Sequence, residues 1–144
     1  MEPVRFDYDD RYLAGILFFN DRDFFEAHEV WEDLWMTCAG PERRFYQGLI
    51  QTAVALYHFG NGNLRGAVKL YHSSRAYLEP YGSKYLGVDI DLLRDQMKQC
   101  FTEVLAHPAA AGVQLKEELI PVINLNPAPE HWPEPSEFQE PDAS

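Results

Sequence analysis

The sequence predicts an all-α protein: a compact antiparallel bundle of four to five helices with an irregular, proline-rich C-terminal tail. Apolar residues recur at helical spacing in one segment after another. The breaks between segments are short and hold Asn, Asp, Gly or Pro, which start or stop helices. No stretch reads convincingly as a strand. At 144 residues, 46% hydrophobic and 14% aromatic, the chain suffices for a single core.

Asp9 and Asp10 precede Tyr12, Leu13, Ile16, Leu17 and Phe19, a short amphipathic helix with acids at its positive end. Asn20 and Asp21 interrupt it. A second helix is expected from about Asp23 to Met36, before Gly40-Pro41, and a third from about Glu42 to Phe59. The third is dense in apolar residues, among them Leu49, Ile50, Ala53, Val54 and Leu56, which makes it the central helix. Gly60-Asn61-Gly62-Asn63 requires a tight turn, and Asn63 is a suitable N-cap for a fourth helix that stops at Pro80. Asp89 or Asp91 caps a fifth, in which Leu93, Met97, Cys100, Phe101 and Val104 recur up to Pro108. One more turn is expected around Lys116 to Ile120. The domain therefore reads as residues 1–123, followed by an acidic, proline-rich tail over 124–144, extended or disordered, on which Trp132 and Phe138 are the candidate docking residues.

Short links favour antiparallel neighbours. The third and fourth helices resemble one tetratricopeptide-type hairpin, but no second copy follows, and such repeats depend on stacking. A closed bundle is the better expectation.

A net charge of -11 argues against sequence-independent binding to nucleic acid or anionic lipid, since Arg43-Arg44 is the lone basic pair. No stretch approaches the roughly 20 apolar residues of a membrane span, and the N-terminus lacks a signal-peptide pattern. A cytoplasmic protein is expected. Cys38 and Cys100 lack the close spacing of a zinc site and read as free, structural thiols.

The most informative stretch is Phe24-Phe25-Glu26-Ala27-His28-Glu29-Val30-Trp31-Glu32-Asp33-Leu34-Trp35. Phe24, Ala27, Trp31 and Leu34 form its apolar stripe, while His28 and Glu32, and Glu29 and Glu32, are neighbours along one side. Ionisable groups therefore border the core, where they must be paired, hydrogen-bonded or coordinated. The third helix adds Gln47, Gln51 and His58 near one face. Two imidazoles, several carboxylates and two amides suit either a divalent cation or a small polar ligand. The metal candidates are His28, Glu32 and His58, and the pocket candidates Glu26, Trp35, Gln47 and Gln51. The bland alternative is a buried hydrogen-bond network that fixes helix register. In that case removing His28 or Glu32 would cost about 1 to 3 kcal/mol.

His28-Glu29-Val30-Trp31-Glu32 has the outline of the zinc-protease helix, with Glu32 in place of the second histidine and no clear third ligand. Di-iron bundles need Glu-x-x-His motifs, which this chain lacks. His72 beside Ser73 and Ser74 reads as a surface histidine, and His107 before Pro108 as a helix-terminal one. Gly60, Gly62 and Gly66 follow no strand and precede no Lys-Ser/Thr pair, so they make turns and do not cradle phosphate.

The run Phe25-Glu26-Ala27-His28-Glu29-x-x-Glu32-x-x-Trp35, with Phe19-Asn20, Gln47-Gly48-Leu49-Ile50-Gln51-x-Ala53, Tyr57-His58 and Gly62-Asn63-x-x-Gly66-Ala67, resembles the all-helical prokaryotic family catalogued as domain of unknown function 309. The match spans about Phe18 to Leu105. The resemblance implies a helical domain with these motifs on adjacent helices, and it implies no reaction.

The leading functional expectation is a module that binds a small ligand, ion or partner between its second and third helices. The alternative is a metal-dependent hydrolase in which His28, Glu32 and His58 hold the ion and Glu29 activates water. The expected partner is a small molecule or a protein, with homo-oligomerisation left open and neither nucleic acid nor membrane involved.

Overall fold

The computed structural model describes residues 8–110 and 112–139. Of the two spans read from the sequence, the first seven residues, residue 111 and the last five lie outside the described residues. Five helices form: α1 (Asp10–Asn20), α2 (Phe24–Thr37), α3 (Arg43–Gly60), α4 (Leu64–Leu78) and α5 (Ile90–Ala106). Their starts follow local chemistry. Asp9 accepts from the Arg11 amide, Asn63 from the Gly66 amide and Asp89 from the Leu92 amide, so three helices open on a side-chain cap.

Two helix ends share one hydrogen-bond pattern. After α3, the Asn63 amide donates to His58 O and the Gly62 amide to Phe59 O, with Gly62 left-handed at φ 80°. After α1, the Asp23 amide donates to Phe18 O and the Arg22 amide to Phe19 O, and here the left-handed residue is Arg22 at φ 67°. Glycine fits the first turn freely, whereas arginine carries a steric penalty in the second.

Pro80 ends the fourth helix as expected, through a single 3-10 turn at Glu79–Tyr81, and a second such turn at Glu117–Leu119 lies in the stretch where one was expected. One element departs from the sequence reading. Lys84–Tyr85 (β1) and Val88–Asp89 (β2) pair antiparallel, with Lys84 opposite Asp89 and Tyr85 opposite Val88. Two residues per strand are too few to display alternation, so periodicity could not reveal them. The hairpin is anchored from outside by the Tyr12 hydroxyl, which donates to Leu86 O at 2.8 Å, and by Tyr85 against the Phe45 ring at 4.9 Å.

Consecutive helices pack on one another, most extensively α3 with α4, then α2 with α3 and α1 with α2. The stripe Phe24, Ala27, Trp31 and Leu34 is buried as expected, and α3 contributes Phe45, Leu49, Ala53 and Leu56 to the same core. The α1–α2 contact depends on one small residue. Trp31 lies across Gly15 and its indole N–H donates to Tyr12 O at 3.1 Å. A Cβ on Gly15 would fall 1.8 Å from that indole nitrogen.

Beyond α5 the chain returns along α1. The Asn20 side chain makes two hydrogen bonds to the backbone of Ile123, donating to its carbonyl and accepting from its amide, each at 2.8 Å. Pro121, Ile123 and Leu125 turn inward while Val122 and Asn124 face solvent, an extended period-two pattern. The 3-10 turn at Pro135–Phe138 contacts α1, with Phe138 packed against the core and Trp132 exposed.

Candidate functional site

The sequence-predicted cluster lies where α2 faces α3. His28, Glu32 and Trp35 sit four and three residues apart on α2, and Gln47, Ile50, Gln51 and Val54 follow a matching helical row on α3. With Leu70 of α4 they line an open cleft of about 350 Å³. Ile50, Val54 and Leu70 supply apolar surface, and Trp35 supplies a ring whose π-system also carries the Arg43 guanidinium, 4.0 Å from its centroid.

His28 Nε2 lies 2.8 Å from Glu32 Oε2, an i,i+4 pair whose side chains are 26% and 46% exposed. With the imidazole neutral, its Nε2–H donates to the carboxylate; with it protonated, the contact is an ion pair. The His28 ring also meets Phe25 at 5.8 Å, and Phe25 in turn meets Tyr57 at 5.7 Å, so an exposed aromatic pair borders the cleft.

The two glutamines differ from the register-fixing network considered above. No side-chain hydrogen bond joins either of them to His28 or Glu32, and Gln51 Oε1 is buried without a partner among the described residues. A buried amide oxygen left in that state costs about 1 to 3 kcal/mol. The atom is closed to solvent, so it is an internal acceptor and not an open contact of the cleft.

The remaining predicted residues separate from it. His58 does not line the cleft; it sits in the last turn of α3, its Nδ1 3.3 Å from the side-chain Nδ2 of Asn63 at the α3–α4 turn. The seven residues from Gln51 to His58 keep the same face but advance about 10 Å along the axis, too far to share one small ligand. Glu26 and Glu29 are half-buried on α2 and do not line the cleft either. Among the described residues no three His, Cys, Asp or Glu side chains converge in a geometry that would hold a metal ion. His28 and Glu32 thus lack their expected third partner.

Two features escaped the sequence reading. Leu70 of α4 closes the cleft from a third helix, a contact that helical periodicity does not specify. A second groove of about 850 Å³ opens between the end of α3 and residues 108–110 and 112–120, flanked by Leu56, Phe59, Leu115 and Ile120, with Arg22 and Glu117 paired at 3.5 Å on its rim. It is larger, but it holds none of the predicted polar residues.

Elsewhere burial pushes the Cys100 thiol up to about 11, and it also raises the Cys38 thiol, whose Sγ donates to Glu42 Oε1 at 3.3 Å. Both cysteines are free. Arg44 lies 5.0 Å from the Tyr77 ring, so the Arg43-Arg44 pair is divided between two aromatic rings and forms no open basic patch.

Residues 12–70 match the family model described as domain of unknown function (DUF309), a span that holds α1 from Tyr12 onward, all of α2 and α3, and every residue of the cleft. A protein of Bacillus subtilis (strain 168), the uncharacterized protein YpuF, is 36% identical over 86 residues, covering 58% of this chain and 49% of its own length. An uncharacterized protein of Aquifex aeolicus (strain VF5) is 25% identical over 101 residues, 69% of this chain and 30% of its own length. The chain spans half or less of these curated relatives. No helix among the described residues is long and apolar enough to cross a membrane.

Proposed function

We propose, from the premise that residues 12–70 carry the DUF309 match, that the cleft between α2 and α3 binds a small polar ligand and that the protein works as a cytoplasmic binding module. The observation that carries this reading is the lining of the cleft, where the partly exposed His28–Glu32 pair stands beside the apolar surface of Ile50, Val54 and Leu70. A ligand's polar group would meet Glu32 and His28, and Ile50, Val54 and Leu70 would receive its apolar part.

The hydrolase alternative gains no matching support. It required His28, Glu32 and His58 to share an ion with Glu29 in reach of bound water, and the first two stand apart from the others.

Binding to the folded state raises the melting temperature. A thermal-shift screen of small polar compounds, run in parallel on the wild type and Glu32→Ala, tests the proposal. Compounds that stabilise the wild type and leave the variant unmoved support it. Hits that stabilise both equally, or no hits at all, overturn it.

A further inference from the structure

The fourth helix departs from the charge of the chain as a whole. Against 23 acids and 12 lysines and arginines overall, α4 holds Arg65, Lys69 and Arg75 and no Asp or Glu. Where α4 meets α5, Arg75 meets a second arginine. Its Nη1 donates to the backbone carbonyl of Arg94 at 3.0 Å, and its guanidinium lies 5.2 Å from the Tyr71 ring. The acids nearest in sequence, Glu79, Asp91 and Asp95, are exposed, and among the described residues none forms an ion pair with either guanidinium. Two like charges therefore gather around one tyrosine without a counter-charge, which costs free energy unless an anion joins them.

The atoms that would meet such an anion are open. Tyr71 is buried by its stack on Phe101, ring centroids 4.9 Å apart, yet among the described residues its hydroxyl is neither hydrogen-bonded nor closed to solvent. Of the Arg94 guanidinium only Nε is closed off and takes no part in binding, while the two terminal nitrogens are accessible and unbonded. Arg75 is also partly exposed, with one terminal nitrogen committed to the Arg94 carbonyl. Burial pushes the Tyr71 phenol up, and Arg75 and Arg94 both pull it back, so the two cations stand close to the same hydroxyl.

This donor set selects its anion. Two guanidinia carry two positive charges on planar N–H forks. A phosphate group carries about -1.5 to -2 charge near neutral pH and presents three acceptor oxygens, enough to bridge both forks and accept from Tyr71. A carboxylate brings one charge and leaves the second guanidinium uncompensated. The net charge of -11 repels anions at long range, so binding here depends on direct charge-assisted bonds and not on diffuse attraction. Tyr71, Arg75 and Arg94 all follow the family match at residues 12–70, and none of them lines the α2–α3 cleft, so the two sites stand or fall separately.

We propose that the α4–α5 seam binds a phosphate group, held by the terminal nitrogens of Arg75 and Arg94 and by the Tyr71 hydroxyl. Two sources share this chemistry, inorganic phosphate and a small phosphomonoester.

The test is a set of backbone-amide and arginine Nε–H chemical-shift titrations on the full chain at constant ionic strength, with inorganic phosphate, glycerol 2-phosphate and acetate as probes. The Arg94 Nε–H, shielded from solvent, serves as a reporter. The expected result is that a phosphate probe shifts this signal together with the amides around Tyr71 and Arg75, and binds at least about tenfold more tightly than acetate. Arg94→Gln weakens binding by about tenfold or more, Tyr71→Phe weakens it to a smaller degree, and Lys84→Gln, on the β1–β2 hairpin, leaves it unchanged. Tighter binding of inorganic phosphate identifies the free ion, and tighter binding of glycerol 2-phosphate identifies a phosphomonoester.

Acetate binding as tightly as phosphate, no shift at the seam with any probe, or equal weakening by Lys84→Gln and Arg94→Gln would each overturn the proposal. An unchanged circular-dichroism spectrum of Arg94→Gln confirms that lost binding is not lost fold. Should that variant fail to fold, Tyr71→Phe decides, since it keeps the ring on Phe101 and removes the hydroxyl alone; phosphate binding unaffected by it would overturn the assignment.

Discussion

Replacing Gln51 with leucine tests whether its amide joins a hydrogen-bond network between α2 and α3, because a paired and an unpaired amide give opposite signs. Gln51 Oε1 is buried with no partner, so the native fold bears the desolvation of an amide oxygen without a compensating bond. That penalty is about 1 to 3 kcal/mol. Leucine is close in volume, has no polar atom to desolvate and finds Ile50, Val54 and Leu70 around the same cleft. Repacking a branched side chain offsets part of the gain, which leaves an expected stabilisation of about 1 kcal/mol and a rise in melting temperature of about 3 to 5 °C for a chain of this size. Urea denaturation of the wild type, Gln51→Leu and Gln47→Leu measures it, with Gln47→Leu expected within about 0.5 kcal/mol of the wild type because Gln47 presents no such buried, unpartnered atom. A loss of about 1 kcal/mol or more in Gln51→Leu would mean that the amide is paired in solution, and would refute the reasoning.

Four further outcomes follow from the same geometry. His28→Ala and Glu32→Ala should each change stability by less than about 0.5 kcal/mol in chemical denaturation, as expected of a partly exposed i,i+4 pair and unlike the larger loss a buried network would give. Gly15→Ala should lower stability by several kcal/mol or prevent folding, since the new Cβ overlaps the Trp31 indole and breaks its bond to Tyr12 O; near-ultraviolet circular dichroism would show the lost tryptophan packing. Asn20→Ala removes both bonds to Ile123 and should speed amide exchange over residues 121–126 while α3 keeps its protection. Cys100, with its thiol raised to about 11 from an ordinary 9.0, favours the fold while neutral; its contribution is complete below pH 9 and is lost as pH rises toward 11, so alkaline denaturation of Cys100→Ala should be the less steep of the two over that window.

The helices were legible because their signals are local. Phe24, Ala27, Trp31 and Leu34 mark a stripe by spacing alone, and Asn63 and Asp89 mark helix starts by their side-chain oxygens. The β1–β2 hairpin was not legible, since two-residue strands have no period and depend on Tyr12 and Phe45, far away in sequence. The site divides the same way. His28 with Glu32, and Gln47 with Gln51, are i,i+4 pairs, and the sequence brings each onto one face. How far along α3 the cleft extends is a tertiary fact, and it separates Gln51 from His58 although both lie on one side of the helix. Angular position can be read from residue spacing, but axial reach across two helices cannot. The docking of Ile123 on Asn20 is equally non-local, a contact across 103 residues that no periodicity announces.

The most direct test is the location of a ligand. A crystal structure of the wild type with the best compound from the thermal-shift screen should show it between α2 and α3, with a polar atom about 2.7 to 3.2 Å from the Glu32 carboxylate or the His28 ring. A compound seated instead in the groove beside Leu115 and Ile120 would contradict the account.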